Sequence, residues 1–155
     1  MIISQSVSDT LNLGKVIAGN TRAGDIVCLF GELGSGKTVL AKGIASGLGI
    51  SSEEIISPTF IILRQYQGRR LALYHFDLYR LKDSHDILAL GYEEYFYGQG
   101  LTVIEWADRL KYLLPKEYLG VKLLVKDEHK RSIKLEAFGR RYEELLKEIN
   151  ADIKH

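Results

Sequence analysis

Residues 31–38 read Gly-Glu-Leu-Gly-Ser-Gly-Lys-Thr, which satisfies the spacing G-x-x-x-x-G-K-[ST] of a loop that wraps phosphate. A chain of phosphates is densely negative. A loop grips it only where successive backbone N–H groups turn inward together. Gly31, Gly34 and Gly36 permit that turn, with Leu33 and Ser35 supplying further main-chain contacts. Lys37 is placed to reach β- and γ-phosphate oxygens as a point charge, and Thr38 to offer its hydroxyl to Mg²⁺.

The flanking sequence suits this chemistry. Residues 26–30, Ile-Val-Cys-Leu-Phe, form an unbroken apolar run of the kind a strand shows when covered on both faces. Residues 39–48 carry Leu40, Ile44 and Leu48 at intervals of four, one face of a helix. Such a helix aims its positive end at the anion held by the loop.

A nucleoside triphosphate site also needs a group for the metal and for the attacking oxygen, commonly a carboxylate at the end of a neighbouring strand. Two apolar runs end this way. Residues 71–76 lead into Asp77, and residues 101–104 lead into Glu105. Ligands bind at the carboxyl ends of strands in open α/β sheets, so each acid is a candidate for metal or water. The competing reading of each is a strand-end carboxylate that caps the next turn.

The chain of 155 residues suits one domain spanning 1–155, and its 46% hydrophobic and 26% charged content is that of a globular protein. A net charge of +1 gives no global pull toward nucleic acid or membrane. The single cysteine, Cys28, excludes an internal disulfide and suits the reducing cytoplasm. No apolar run of membrane-spanning length and no signal-peptide pattern are seen, so a cytoplasmic protein is expected.

Other signals outline the remaining elements. A helix is expected from Ser8, as N-cap, to a stop at Gly19-Asn20. Residues 57–59, Ser-Pro-Thr, read as a loop. Strands at 60–66 and 71–76 flank a turn at 67–70, and part of 83–97 reads as helix broken near Gly91. Two further strands, 121–125 and 132–138, precede a closing helix from Arg140. The expected fold is an α/β, P-loop NTPase-like three-layer domain with a mixed sheet, parallel beside the loop and antiparallel at the hairpins.

GTP-reading patterns, Asp-x-x-Gly after a strand and Asn-Lys-x-Asp, are missing, which leaves an adenine nucleotide by elimination. His75 alternates within an apolar strand and reads as a core or rim histidine. Arg69-Arg70 and Arg140-Arg141 read as solvated pairs, and Tyr92, Tyr95 and Tyr97 as packing or a protein interface.

Four segments occur in order: the loop at 31–38, Ser-Pro-Thr-Phe at 57–60, His-Phe-Asp-Leu-Tyr-Arg at 75–80, and Val-Ile-Glu-Trp-Ala-Asp-Arg at 103–109. Together they resemble the TsaE family, the ATPase of bacterial threonylcarbamoyladenosine (t6A) tRNA modification. The resemblance implies ATP or ADP with Mg²⁺, slow hydrolysis of ATP in isolation, and work alongside the TsaD and TsaB proteins, with tRNA reached through that complex. It also implies roles by position. Thr38 and Glu105 hold Mg²⁺, and Asp77 assists the metal or water. Thr59 senses the γ-phosphate, or simply caps a turn. Arg131 flanks adenine, and Trp106 lies near the site as packing or as partner contact. Two alternatives stay open. A small-molecule or nucleoside kinase on the same fold needs an acceptor pocket and usually a lid, and no lid insertion is evident. A nucleotide-gated binding module needs no water-positioning acid.

Overall fold

A computed structural model describes residues 1–55 and 62–153. Among them, seven strands form one sheet: β1 (Ile2–Ser4), β2 (Ile26–Phe30), β3 (Leu63–Gln67), β4 (Ala72–Asp77), β5 (Leu101–Glu105), β6 (Tyr118–Val125) and β7 (Arg131–Phe138). Their spatial order is β1-β7-β6-β2-β5-β4-β3. The central strands β6, β2, β5 and β4 run parallel to one another, while β1–β7, β6–β7 and β3–β4 are antiparallel. The helices are α1 (Val7–Asn20), α2 (Lys37–Gly47), α3 (Ser84–Ala89), α4 (Tyr92–Phe96) and α5 (Arg140–Ile153).

Alternation along β2 separates two apolar cores. Val27 and Leu29 pack with Leu13, Ile17, Leu40, Ile44, Leu145 and Ile149 of α1, α2 and α5. Ile26 and Cys28 face the other way, onto Phe76, Ile87, Phe96 and Leu110. Successive side chains of a strand point to opposite faces, so a strand covered on both sides must be apolar throughout. The result is three layers, as expected. On the second face, Tyr95 packs edge-on against Tyr74 and Phe76, and Tyr92 against Phe96, while Tyr97 is exposed. Burial pushes the Cys28 thiol well above its ordinary value. No helix among the described residues is long and apolar enough to cross a membrane.

The helices α1 and α2 cross with backbones nearly touching. A Cβ on Gly14 would lie 2.7 Å from backbone atoms of Leu40, Gly43 and Ile44, and one on Gly43 would lie 2.3 Å from Leu11 O. Glycine at both positions sets the depth of the crossing, and so the seat of the helix that follows the phosphate loop.

Several expected features shift. The N-cap of α1 is Ser6, not Ser8, because Ser6 caps Asp9 N while the Asp9 carboxylate reaches back to the residue before the cap. The Ser6 hydroxyl accepts from Asp9 N at 3.1 Å, and Asp9 Oδ2 accepts from Gln5 N at 2.9 Å. The helix runs through Gly19 to Asn20. Strand β6 starts three residues before the expected 121. The expected strand 60–66 emerges as β3, its first two residues and the loop 57–59 lying outside the described residues. Arg70 and Arg141 are not simply solvated. Arg70 donates to the carbonyls of Ala18 and Thr21, capping the end of α1. Arg141 pairs with buried Asp25 at 2.8 Å, and that hydrogen bond holds the guanidinium above its ordinary value despite partial burial. Neither partnership has a local sequence signal.

The head of β2 is fixed by α5: Ile26 N donates to the Tyr142 hydroxyl at 2.9 Å. Tyr142→Phe leaves that buried amide without its partner and is expected to cost about 1–3 kcal/mol in urea denaturation. Burial also pushes the Tyr142 phenol up to about 12. The unfolded chain therefore loses this proton first, near pH 10, and folding stability falls as the pH rises from there toward 12. The Tyr142→Phe protein is expected to show a shallower decline over that range.

Candidate functional site

Because β2, β5 and β4 run parallel, their carboxyl ends share one edge of the sheet. The loop leaves β2 there. The register sets Leu29 beside Glu105 and Glu105 beside Asp77. Two acids distant in sequence thus stand together at the mouth of the loop.

The loop itself is held open by glycine. Gly34 has φ +80° and Gly36 φ +103°, a region that side-chain-bearing residues rarely enter. A Cβ on Gly31 would sit 2.5 Å from Ser35 Oγ and 2.7 Å from Leu123 O. Gly36 is the N-cap of α2 and offers no side chain to it. The amides of Gly34, Gly36, Lys37 and Thr38 meet no acceptor among the described residues. Helix N-termini leave such donors orphaned, and a phosphate satisfies several at once.

Lys37 lies buried across this loop. Its Nζ donates to Gly31 O at 2.5 Å, Glu32 O at 2.8 Å and Ser35 Oγ at 3.3 Å. The ammonium also rests 4.0 Å from the centre of the Trp106 ring. Burial lowers its pKa, against the opposing pull of Glu105, Asp77, Asp108 and Glu32. Each contact is to an acceptor or a π-face.

Glu105 closes the site from the sheet. It is 2% exposed. Its Oε1 accepts the Thr38 hydroxyl at 2.9 Å, and its Oε2 meets His75 Nε2 at 2.6 Å. Asp77 behaves differently: its Oδ1 accepts from Tyr79 N at 3.1 Å, so it caps the following turn while also lining the cleft. Thr38 and Glu105 are hard oxygen donors, suited to Mg²⁺, which keeps several waters and phosphate oxygens as its remaining ligands.

The structure gathers most of the nominated residues. Leu33, Gly34, Gly36, Lys37, Thr38, Asp77, Glu105 and Arg131 line one cleft of ≈ 390 Å³. Gly31 and Ser35 are not in its lining and instead accept hydrogen bonds from Lys37. Arg131 donates to Gly34 O at 3.2 Å, which ties the start of β7 to the loop. Thr59 lies outside the described residues.

Sequence reasoning missed three features of this cleft. Tyr79 also lines it. Trp106 adopts φ +58°, an uncommon conformation for a bulky aromatic residue, which lets its ring lie on Lys37 and 5.1 Å from the Tyr79 ring. Arg109 stacks on both rings, at 5.5 Å from Trp106 and 5.8 Å from Tyr79. His75 is fully buried, as expected of a core histidine, but it touches Glu105. Its position held the signal. His75 and Asp77 are two apart on a strand, so they share a face next to the strand that ends in Glu105.

Comparison with known proteins extends this geometry. A profile of the family described as "Threonylcarbamoyl adenosine biosynthesis protein TsaE" matches residues 4–133. The tRNA threonylcarbamoyladenosine biosynthesis protein TsaE of Bacillus subtilis (strain 168) is 40% identical over 142 residues, which cover 92% of this chain and 88% of that protein. That of Treponema pallidum (strain Nichols) is 44% identical over 131 residues, 84% of this chain and 96% of the relative. A crystal structure of Bacillus subtilis YdiB superposes with a TM-score of 0.84 at 36% identity, covering 97% of this chain and 93% of the other. Sequence and fold agree along nearly the full length, and the chain therefore belongs to the TsaE family of threonylcarbamoyl adenosine biosynthesis proteins.

Proposed function

We propose that this chain is a P-loop ATPase that binds ATP and Mg²⁺ in the cleft at the end of β2 and hydrolyses ATP slowly in support of t6A formation on tRNA. The observation that carries this reading is the Thr38–Glu105 hydrogen bond, which joins the phosphate loop to a buried carboxylate. Family membership supports the pathway. The TsaD and TsaB proteins are the proposed partners, tRNA is met through their complex, and the cytoplasm is the proposed compartment. The whole chain, 1–155, acts as one ATPase domain in this reading.

Each residue has a task in it. The amides of Gly34, Gly36, Lys37 and Thr38 receive phosphate oxygens. Lys37 exchanges the oxygens of Gly31, Glu32 and Ser35 for those of the β- and γ-phosphates. It moves between two sets of acceptors, so little desolvation is added by the exchange. Thr38 and Glu105 hold Mg²⁺, which supplies positive charge to phosphate oxygens as negative charge redistributes. Asp77 assists the ion or the attacking water, Thr59 senses the γ-phosphate, and Arg131 flanks adenine. Trp106 fixes the resting place of Lys37.

Lys37→Ala is expected to lose about 2–5 kcal/mol of ATP binding, the range for removing one partner from a buried charge pair. Isothermal titration calorimetry measures it, and equal affinities would overturn the phosphate assignment. Glu105→Gln keeps the shape of the side chain. It is expected to hold ATP affinity within a few-fold while turnover falls by about 100-fold or more. Unchanged phosphate release would take Glu105 out of the reaction.

A further inference from the structure

Glu105 is a flexible carboxylate sealed inside the sheet, and something must choose its direction. Its Oε1 is met by Thr38, whose hydroxyl must itself turn toward a metal ion and a phosphate chain. The other oxygen, Oε2, is met by His75 Nε2 at 2.6 Å. His75 is 0% exposed and Glu105 2% exposed, so no solvent competes for this contact. Register explains the match. His75 lies opposite Val103 and Asp77 opposite Glu105, so the imidazole reaches one residue pair diagonally along two parallel strands.

The other imidazole nitrogen completes the case. His75 Nδ1 is buried and has no hydrogen-bond partner among the described residues. A carboxylate offers only lone pairs, so opposite ionised Glu105 the contact takes its proton from Nε2. Nδ1 then carries a lone pair, where a second N–H would be an orphaned donor.

We infer that His75 is a positioning residue: its Nε2–H fixes Oε2 of Glu105 so that Oε1 stays aligned with Thr38 for the metal ion. This rests on the nucleotide and Mg²⁺ reading above, and it adds a residue that touches neither ligand. Partners of this kind, which orient a metal's own ligands, typically carry 10–100-fold of metal affinity or activity.

The test compares wild type, His75→Leu and His75→Gln. Leucine fills the space without a donor, and glutamine returns an N–H near the position of Nε2. Calorimetry with ADP in EDTA, then Mg²⁺ titrated into the ADP-loaded protein, separates nucleotide from metal. His75→Leu is expected to bind ADP in EDTA like wild type, to bind Mg²⁺ about 10–100-fold more weakly, and to lose kcat with little change in KM. His75→Gln is expected to recover most of both losses. In metal-free wild type, ¹⁵N NMR of the imidazole is expected to find the proton on Nε2, a readout that survives even if His75→Leu does not fold. A proton on Nδ1, equal Mg²⁺ affinity in His75→Leu and wild type, or no recovery in His75→Gln overturns the inference. A wild type that binds no magnesium nucleotide removes the functional reading and this inference together. A wild type that binds it, beside an unaffected His75→Leu, removes the inference alone.

Discussion

A short run of hydrogen bonds, from Thr38 through Glu105 to His75, joins the first turn of α2 to the ends of β5 and β4. Everything else at the site is arranged around it. It exists because three parallel strands end at one edge, and because α2 starts one residue after the glycine that lets the loop turn back. Glu105 and His75 are buried and Thr38 is half-buried, so a polar atom left without a partner there costs free energy. The Thr38 hydroxyl and both Glu105 oxygens have one.

Lys37 shows how the same constraint handles a buried charge. Desolvation works against the ammonium, and the surrounding acids work for it. Its hydrogen bonds go to two carbonyls and a hydroxyl, with an aromatic face nearby, so the positive charge stays solvated by protein without a direct salt bridge. A buried direct pair with Glu105 would have been harder to open. Loop carbonyls, a hydroxyl and a tryptophan ring hold the cation instead. The left-handed backbone at Trp106 is what brings that ring into place.

Much of this was legible in the chain. The glycine spacing declared the loop, and the apolar runs ending in Asp77 and Glu105 declared strands whose ends could meet it. Parallel order then brought them together as strand-end logic requires. The misses share a cause. Arg70 finds the end of α1, and Arg141 finds Asp25, across separations of about 50 and 116 positions. No local pattern encodes such meetings, so both residues read as solvated. His75 read as packing because an apolar strand gives every inward residue the same signature. Only the pairing of β4 with β5 reveals what the imidazole faces. The cap at Ser6 was a different kind of miss, since the Ser-x-x-Asp box was present in the sequence beside a weaker candidate at Ser8.

The claim on which the rest stands is that the orphaned amides at the start of α2 grip phosphate. An amide ¹H–¹⁵N NMR titration with ADP and Mg²⁺ reads those groups one by one. The largest shifts are expected at Gly34, Gly36, Lys37 and Thr38, saturating together. Shifts confined to other parts of the chain, or none at millimolar nucleotide, would contradict the phosphate site and with it the functional reading.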